Sequence, residues 1–219
     1  MCAIFGFTSP SLKKEQILPY FEKTKSRGPD DTRLEPAGSG MLGFHRLAIM
    51  GLHPEGMQPF HRGGDMAVCN GELYGFRPVK KALEAKGYVF ASDSDCEIIL
   101  PLWQEYGTEM FAGLDAEFAM IIYDSASDSL VAARDPIGIR PLFYGYLADG
   151  SIIFASEAKN LVGLCTHVFP FPPGHYYKDG KFVRYTDLTT VTRYSSDDLD
   201  TVTKKIREKL ISAVEKRLD

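Results

Sequence analysis

Cysteine is scarce in this chain, long hydrophobic runs are missing, and neither sign of charge dominates. Four cysteines in 219 residues (Cys2, Cys69, Cys96 and Cys165) are too few and too uneven for a disulfide framework, and they make no CxxC pair. No stretch approaches the ~18 apolar residues that span a bilayer, and no basic n-region or secretory-length apolar region follows Met1. The expected setting is therefore soluble and cytoplasmic, with reduced thiols and no membrane partner. A net charge of −4 without any Lys/Arg run argues against a nucleic-acid partner. The histidines form no HExxH, so no metal is expected, and neither a GxxxxGK-S/T nor a GxGxxG phosphate loop occurs.

What is present reads as a globular protein: 44% hydrophobic and 25% charged residues, with no internal repeat. The length allows one large domain or two small ones. Short apolar or alternating runs recur between turn signals and predict strands at 3–7, 41–49, 66–70, 117–123, 130–134, 142–146, 152–156, 175–178 and 181–185. Turns at 124–129, 148–150 and Asp179-Gly180 join three of the pairs as hairpins. Helices are predicted at 78–86 and 95–106, each ended by a glycine (Gly87, Gly107). Antiparallel hairpins with few helices point to an α+β fold. From Ser195 the pattern changes: Leu199, Val202, Ile206, Leu210, Val214 and Leu218 define one amphipathic helix, acidic at its start and basic later. We expect a domain over residues 1–193, with 194–219 as the start of a truncated second one; the alternatives are that this helix packs back on its own domain or forms a homodimer.

Few positions carry chemistry. If Met1 is removed, Cys2 bears a thiol and a free α-amine on one residue, with reference pKa values of about 8.5 and about 7.7–8.0. An amine titrating near neutrality can serve as general base toward its own thiol. On position alone, a buried Cys opening an edge strand is the stronger reading. Asn70 and the N–H of Gly71 can aim two donors at an oxyanion, although Asn-Gly by itself is first of all a hairpin turn. Arg46 interrupts an apolar strand, and Asp95 lies at a helix start, where N-capping by Asp93, Ser94 or Asp95 is the simpler role. Arg46, Glu72 and Asp95 have the charges to hold an α-amino acid, guanidinium to carboxylate and carboxylates to ammonium. The loop RDPIGIRPL (residues 134–142), fixed by two prolines, reads as structural.

These segments together resemble the N-terminal glutaminase domain of glutamine-dependent asparagine synthetase, a class II glutamine amidotransferase of the N-terminal-nucleophile hydrolase type. The resemblance runs in order through MCAIFGF, SRGPDD, HRLAI, NGELYG, SDCEIIL, RDPIGIRPLFYG, ASEAKNL and FPPGHY, covering nearly all of residues 2–185. It implies a four-layer αββα sandwich of two antiparallel sheets. It further implies that Cys2 attacks the glutamine side-chain amide through a thioester, with its own α-amine as base. Asn70 and Gly71 would form the oxyanion hole and Arg46 would hold the substrate carboxylate. Glu72, Asp95 and backbone carbonyls near Ile49 would hold the ammonium. No cofactor is implied for this domain; ATP and Mg belong to a synthetase half, expected in cis, whose SGGxDS-type loop is absent from these 219 residues.

Two other readings stand beside it. Related class II domains serve other acceptors, and RDPIGIRPL has a counterpart in the phosphoribosyl branch. A non-catalytic glutamine-binding or regulatory module would keep the fold without the reaction.

Overall fold

Strict alternation of side chains builds the centre of the protein. In the strand Ala116–Asp124, Phe118, Met120 and Ile122 point to one face while Ala119, Ile121 and Tyr123 point to the other, and both faces are buried. A strand covered on both sides needs a layer above and a layer below, and the chain supplies both.

The computed structural model describes residues 1–218 and divides into two compact units, Met1–Thr186 and the residues from Asp187 on. In the first unit, the strands are β1 (Ala3–Thr8), β2 (Asp31–Ala37), β3 (Gly40–Arg46), β4 (Phe60–Arg62), β5 (Asp65–Leu73), β6 (Ala116–Asp124), β7 (Ser129–Arg134), β8 (Phe143–Tyr146), β9 (Ile152–Ala155), β10 (Val168–Pro170), β11 (His175–Lys178) and β12 (Lys181–Arg184). They form two six-stranded sheets of order β10-β8-β9-β1-β3-β2 and β12-β11-β7-β6-β5-β4, with every ladder antiparallel. The helices are α1 (Lys14–Phe21), α2 (Phe76–Ala85), α3 (Ile99–Tyr106) and the single turn α4 (Met110–Gly113).

Three apolar clusters correspond to the three interfaces of a four-layer sandwich. Phe5, Phe7, Ile17 and Phe21 join α1 to the first sheet. Ile4, Leu42, Phe44, Val68, Ile121, Phe154 and Phe171 fill the space between the sheets. Leu83, Ile99, Trp103, Phe111, Phe118 and Met120 join α2–α4 to the second sheet. The sheets approach closely at Gly6, where a Cβ would sit 2.8 Å from the Leu42 side chain and 3.2 Å from Ile121. The fold is α+β, an αββα sandwich, as expected.

Several local expectations differ from what forms. β2, β4 and β10 lack the alternating pattern that marks a strand, and α1 carries Pro19 inside it, a residue that argues against a helix interior. Arg46 does not interrupt a strand; it is the last residue of β3. β1 lies between β9 and β3, so Cys2 precedes a central strand and not an edge one. In the second unit, α5 (Leu199–Glu215) is the expected helix, its N-terminus capped by Asp198 Oδ1 accepting from the Thr201 N–H at 2.8 Å.

Phe154 is fully buried where the sheets meet. Phe154→Ala should cost about 3–5 kcal/mol of unfolding free energy in urea titration; a loss below about 1 kcal/mol would contradict the packing described.

Candidate active site

The site forms where β1 begins, β3 ends and β5 runs on past its neighbour. Cys2 is fixed from behind: its carbonyl accepts from Arg27 Nε at 3.0 Å, and Arg27 pairs with Glu157 at 2.9 Å. Its Sγ lies 3.5 Å from the Leu47 carbonyl and 3.3 Å from the Leu47 nitrogen. Burial pushes the thiol pKa up, against which the Leu47 backbone, the chain terminus and Arg140 pull it down. The thiol is therefore mostly protonated at neutral pH, and attack requires a base. With Met1 in place the Cys2 nitrogen is a peptide nitrogen and cannot serve.

β5 supplies the facing wall. β4 pairs with it only as far as Ala67, so from Val68 to Leu73 that edge has no strand beside it. Residues two apart on a strand present their backbone groups to the same side. The Cys69 N–H donates to Gln58 Oε1 at 2.6 Å, and its carbonyl accepts from Gln58 Nε2 at 3.2 Å. The Leu73 N–H donates to Asp95 Oδ2 at 2.7 Å. Gly71 lies between them, so its N–H faces the same open edge. The adjacent Asn70 is buried, and its Nδ2 has no hydrogen-bond partner. A buried donor without a partner is costly and marks a place where an acceptor arrives later. Asn70 and Gly71 thus point two donors into the cavity from mid-strand, which corrects the hairpin-turn reading of Asn-Gly. Glycine is required at 71 because a Cβ there would lie 2.6 Å from the Glu117 carbonyl oxygen and 2.9 Å from Phe118 Cα.

Asp95 is not a helix cap. Ser94 takes the N-cap position of the short 3-10 turn Asp95–Ile98 that leads into α3, without a side-chain bond, while Asp95 reaches across to β5. Burial raises the Asp95 pKa, with the Leu73 N–H opposing it. Arg46 donates to the carbonyls of His53 (3.3 Å), Met50 (3.5 Å) and Gly51, holding the loop after β3 in shape. Cys2, Arg46, Ile49, Asn70, Gly71, Glu72 and Asp95 all line one cavity of ≈ 70 Å³, together with Met1, Gln58, Cys69, Cys96 and Arg140. That space holds a few waters and is far below the several hundred Å³ usual for a ligand site. Met1 forms part of its wall, so its departure would both free the amine and enlarge the cavity. The seven residues singled out from the sequence meet here.

A profile of the glutamine amidotransferase domain matches residues 1–176. The chain belongs to that family. This amidotransferase domain is 38% identical over 188 residues to the glutamine-hydrolysing asparagine synthetase of Sandersonia aurantiaca, covering 84% of this chain and 35% of that protein. It is 38% identical over 178 residues to asparagine synthetase 2 of Oryza sativa, covering 80% and 30%. The chain thus spans about a third of the length of these relatives. Among solved structures, the glutamine phosphoribosylpyrophosphate amidotransferase of B. subtilis superimposes with a TM-score of 0.67 at 21% identity, covering 84% of this chain and 49% of that one. At that identity the likeness shows the fold.

Sequence reasoning missed Gln58, Cys69, Cys96 and Arg140. Only Arg140 carried a signal, in the loop read as structural. That loop is built as expected of a fixed element, with Asp135 and Arg134 bonded to backbone and Arg140 paired with Glu117. Asp135 accepts the N–H groups of Ile137, Gly138, Ile139 and Arg140 at 2.6–3.1 Å, and Arg134 donates to the carbonyls of Gly138, Arg140 and Phe171 at 2.7–2.8 Å.

The raised Asp95 pKa makes a signed prediction. Ionising this carboxyl costs more in the folded than in the unfolded chain, so the wild type loses stability as pH rises from the usual value of 3.8 through the higher folded one. Asp95→Asn keeps an acceptor for the Leu73 N–H and should be at least as stable as wild type at pH 7 by urea unfolding. That advantage should shrink on acidification through the same window; an advantage that grows toward low pH would contradict it.

Proposed function

We propose that this chain is the ammonia-producing half of a glutamine-hydrolysing asparagine synthetase, working in the cytoplasm. The observation that carries the reading is the unsatisfied donor Asn70 Nδ2, beside Gly71 on the open edge of β5, on the wall of the cavity that also holds the Cys2 thiol.

Loss of Met1 frees the Cys2 amine, which accepts the thiol proton as sulfur adds to the glutamine side-chain carbonyl. The negative oxygen of the tetrahedral adduct is received by Asn70 and Gly71, donors already aimed and already dry, so little reorganisation is needed. The protonated amine then returns the proton to the departing nitrogen; the C–N bond breaks, ammonia leaves, and a γ-glutamyl thioester remains. Water adds to the thioester with the amine again as base, the C–S bond breaks, and glutamate is released with the thiol restored. Arg46, at the mouth of the loop it organises, receives the α-carboxylate. Glu72 and Asp95 receive the α-ammonium, with carbonyls near Ile49 beside them. The relatives' names and their greater length support a synthetase domain in cis; its use of ATP and Mg to amidate aspartate is part of the proposal.

Intact mass should show Met1 absent from active protein, and that protein should release ammonia from glutamine. Cys2→Ala should abolish release by at least about 10³-fold, and Asn70→Ala should lower kcat by about 10²–10³-fold. Arg46→Ala should raise KM by about 10–100-fold, the range of a lost charge-assisted contact. Ammonia release that survives Cys2→Ala would overturn the reading, and an unchanged KM in Arg46→Ala would remove Arg46 from the carboxylate.

A further inference from the structure

The RDPIGIRPL loop is more tightly determined than a connection between β7 and β8 requires, and its last charged residue reaches the cavity. Six hydrogen bonds from Asp135 and Arg134 fix the backbone from 137 to 140, and a further one ties Arg134 to the Phe171 carbonyl. From that frame Arg140 extends along the cavity wall. Nη2 donates to Glu117 Oε1 at 2.6 Å, Nη1 lies 2.7 Å from Met1 Sδ, and Nε is buried with no partner. A guanidinium held in a half-dry wall with one orphaned N–H is not there for packing. When Met1 leaves, Nη1 loses its contact too, and the charge stands beside the new N-terminus.

We propose that Arg140 sets the pH at which the Cys2 nucleophile–base pair becomes competent, acting as a positioning and charge-setting residue behind the reacting atoms. The inference rests on the reading of Cys2 given above. The thiol and the amine of one residue titrate as a coupled pair, and the first proton lost belongs to the pair as a whole. A fixed cation beside them favours that loss whichever atom gives up the proton, producing a neutral amine or a thiolate at lower pH.

The charges around Cys2 leave this task to Arg140. Arg27, paired with Glu157, meets Cys2 at its carbonyl, and Arg46 is held by loop carbonyls at the position given to the substrate α-carboxylate, whereas the Arg140 charge acts on the Cys2 thiol itself. Glu72 and Asp95 line the cavity as carboxylates and act in the opposite sense, and the thiols of Cys69 and Cys96 are buried. Glu117 stands directly across the β5–β6 ladder from Glu72, an unfavourable pairing of like charges that Arg140 relieves by binding Glu117.

The test is the pH profile of kcat/KM for ammonia release from glutamine by the Met1-free chain, with four proteins compared. Arg140→Gln should move the acid limb to higher pH, running about tenfold slower than wild type below the limb and within about twofold above it. Arg140→Lys should keep the wild-type limb. Glu117→Gln, which removes the opposing charge, should move the limb to lower pH, an opposite sign that a purely structural role does not produce. Arg140→Gln profiles that are only scaled down at every pH, or a Glu117→Gln limb that also moves up, would overturn the assignment. Wild-type protein without Met1 that releases no ammonia at any pH would overturn the amidotransferase reading beneath it.

Discussion

The open edge of β5 is the constraint on which the site depends. A strand buried on both faces would normally pair along both edges, yet β4 stops opposite Ala67 and leaves the next six residues paired with β6 alone. Unpaired backbone at a buried edge is expensive, and the fold satisfies it selectively. Gln58 takes both groups of Cys69, and Asp95 takes the N–H of Leu73. What they leave between them is the Gly71 N–H, beside an Asn70 amide that is itself unsatisfied. The proposed anion-binding corner is thus the part of this edge that Gln58 and Asp95 leave uncovered.

The other parts of the site are arranged around that gap. The order β9-β1-β3 in the first sheet brings the start of β1 beside the end of β3, which sets Cys2 against Leu47. The inter-sheet core holds the two sheets in face-to-face contact and so carries Cys2 to the wall formed by β5. Burial then does two things at once. It raises the thiol and the Asp95 carboxyl above their ordinary pKa values, and it strengthens every charged contact made inside the cavity. The first effect costs reactivity and stability; the second is what an amino-acid site needs.

Much of this was legible in the sequence, for physical reasons that differ by residue. The hairpins read clearly because Asp179-Gly180 and its counterparts carry turn chemistry, and the strands they join alternate. Cys2 was legible as a thiol beside Met1, Asn70 as a donor next to a glycine, and Arg46 and Asp95 as charges placed where apolar pattern should continue, but only their resemblance to a known family joined them into one site. Their local roles were misjudged where sequence offers two answers of similar weight. Asn-Gly is a turn when its flanks can fold back, and here Gly71 is demanded by the close Glu117 carbonyl within a strand. A Ser-Asp pair before a helix caps it unless a tertiary donor competes, and the Leu73 N–H won Asp95. Gln58 was not legible and Arg140 was read only as part of a structural loop, since their partners lie 11 or more residues away and are fixed only by the way the strands pair.

The central claim is that Cys2, freed of Met1, is the nucleophile facing the Asn70–Gly71 donors. Intact-mass and peptide-mass measurement after treatment with a diazo-ketone analogue of glutamine addresses it most directly. The account predicts one adduct per chain, on Cys2, in protein that has lost Met1, with Cys69, Cys96 and Cys165 unmodified. An adduct on one of those three thiols instead, or equal labelling of chains that keep Met1, would contradict it.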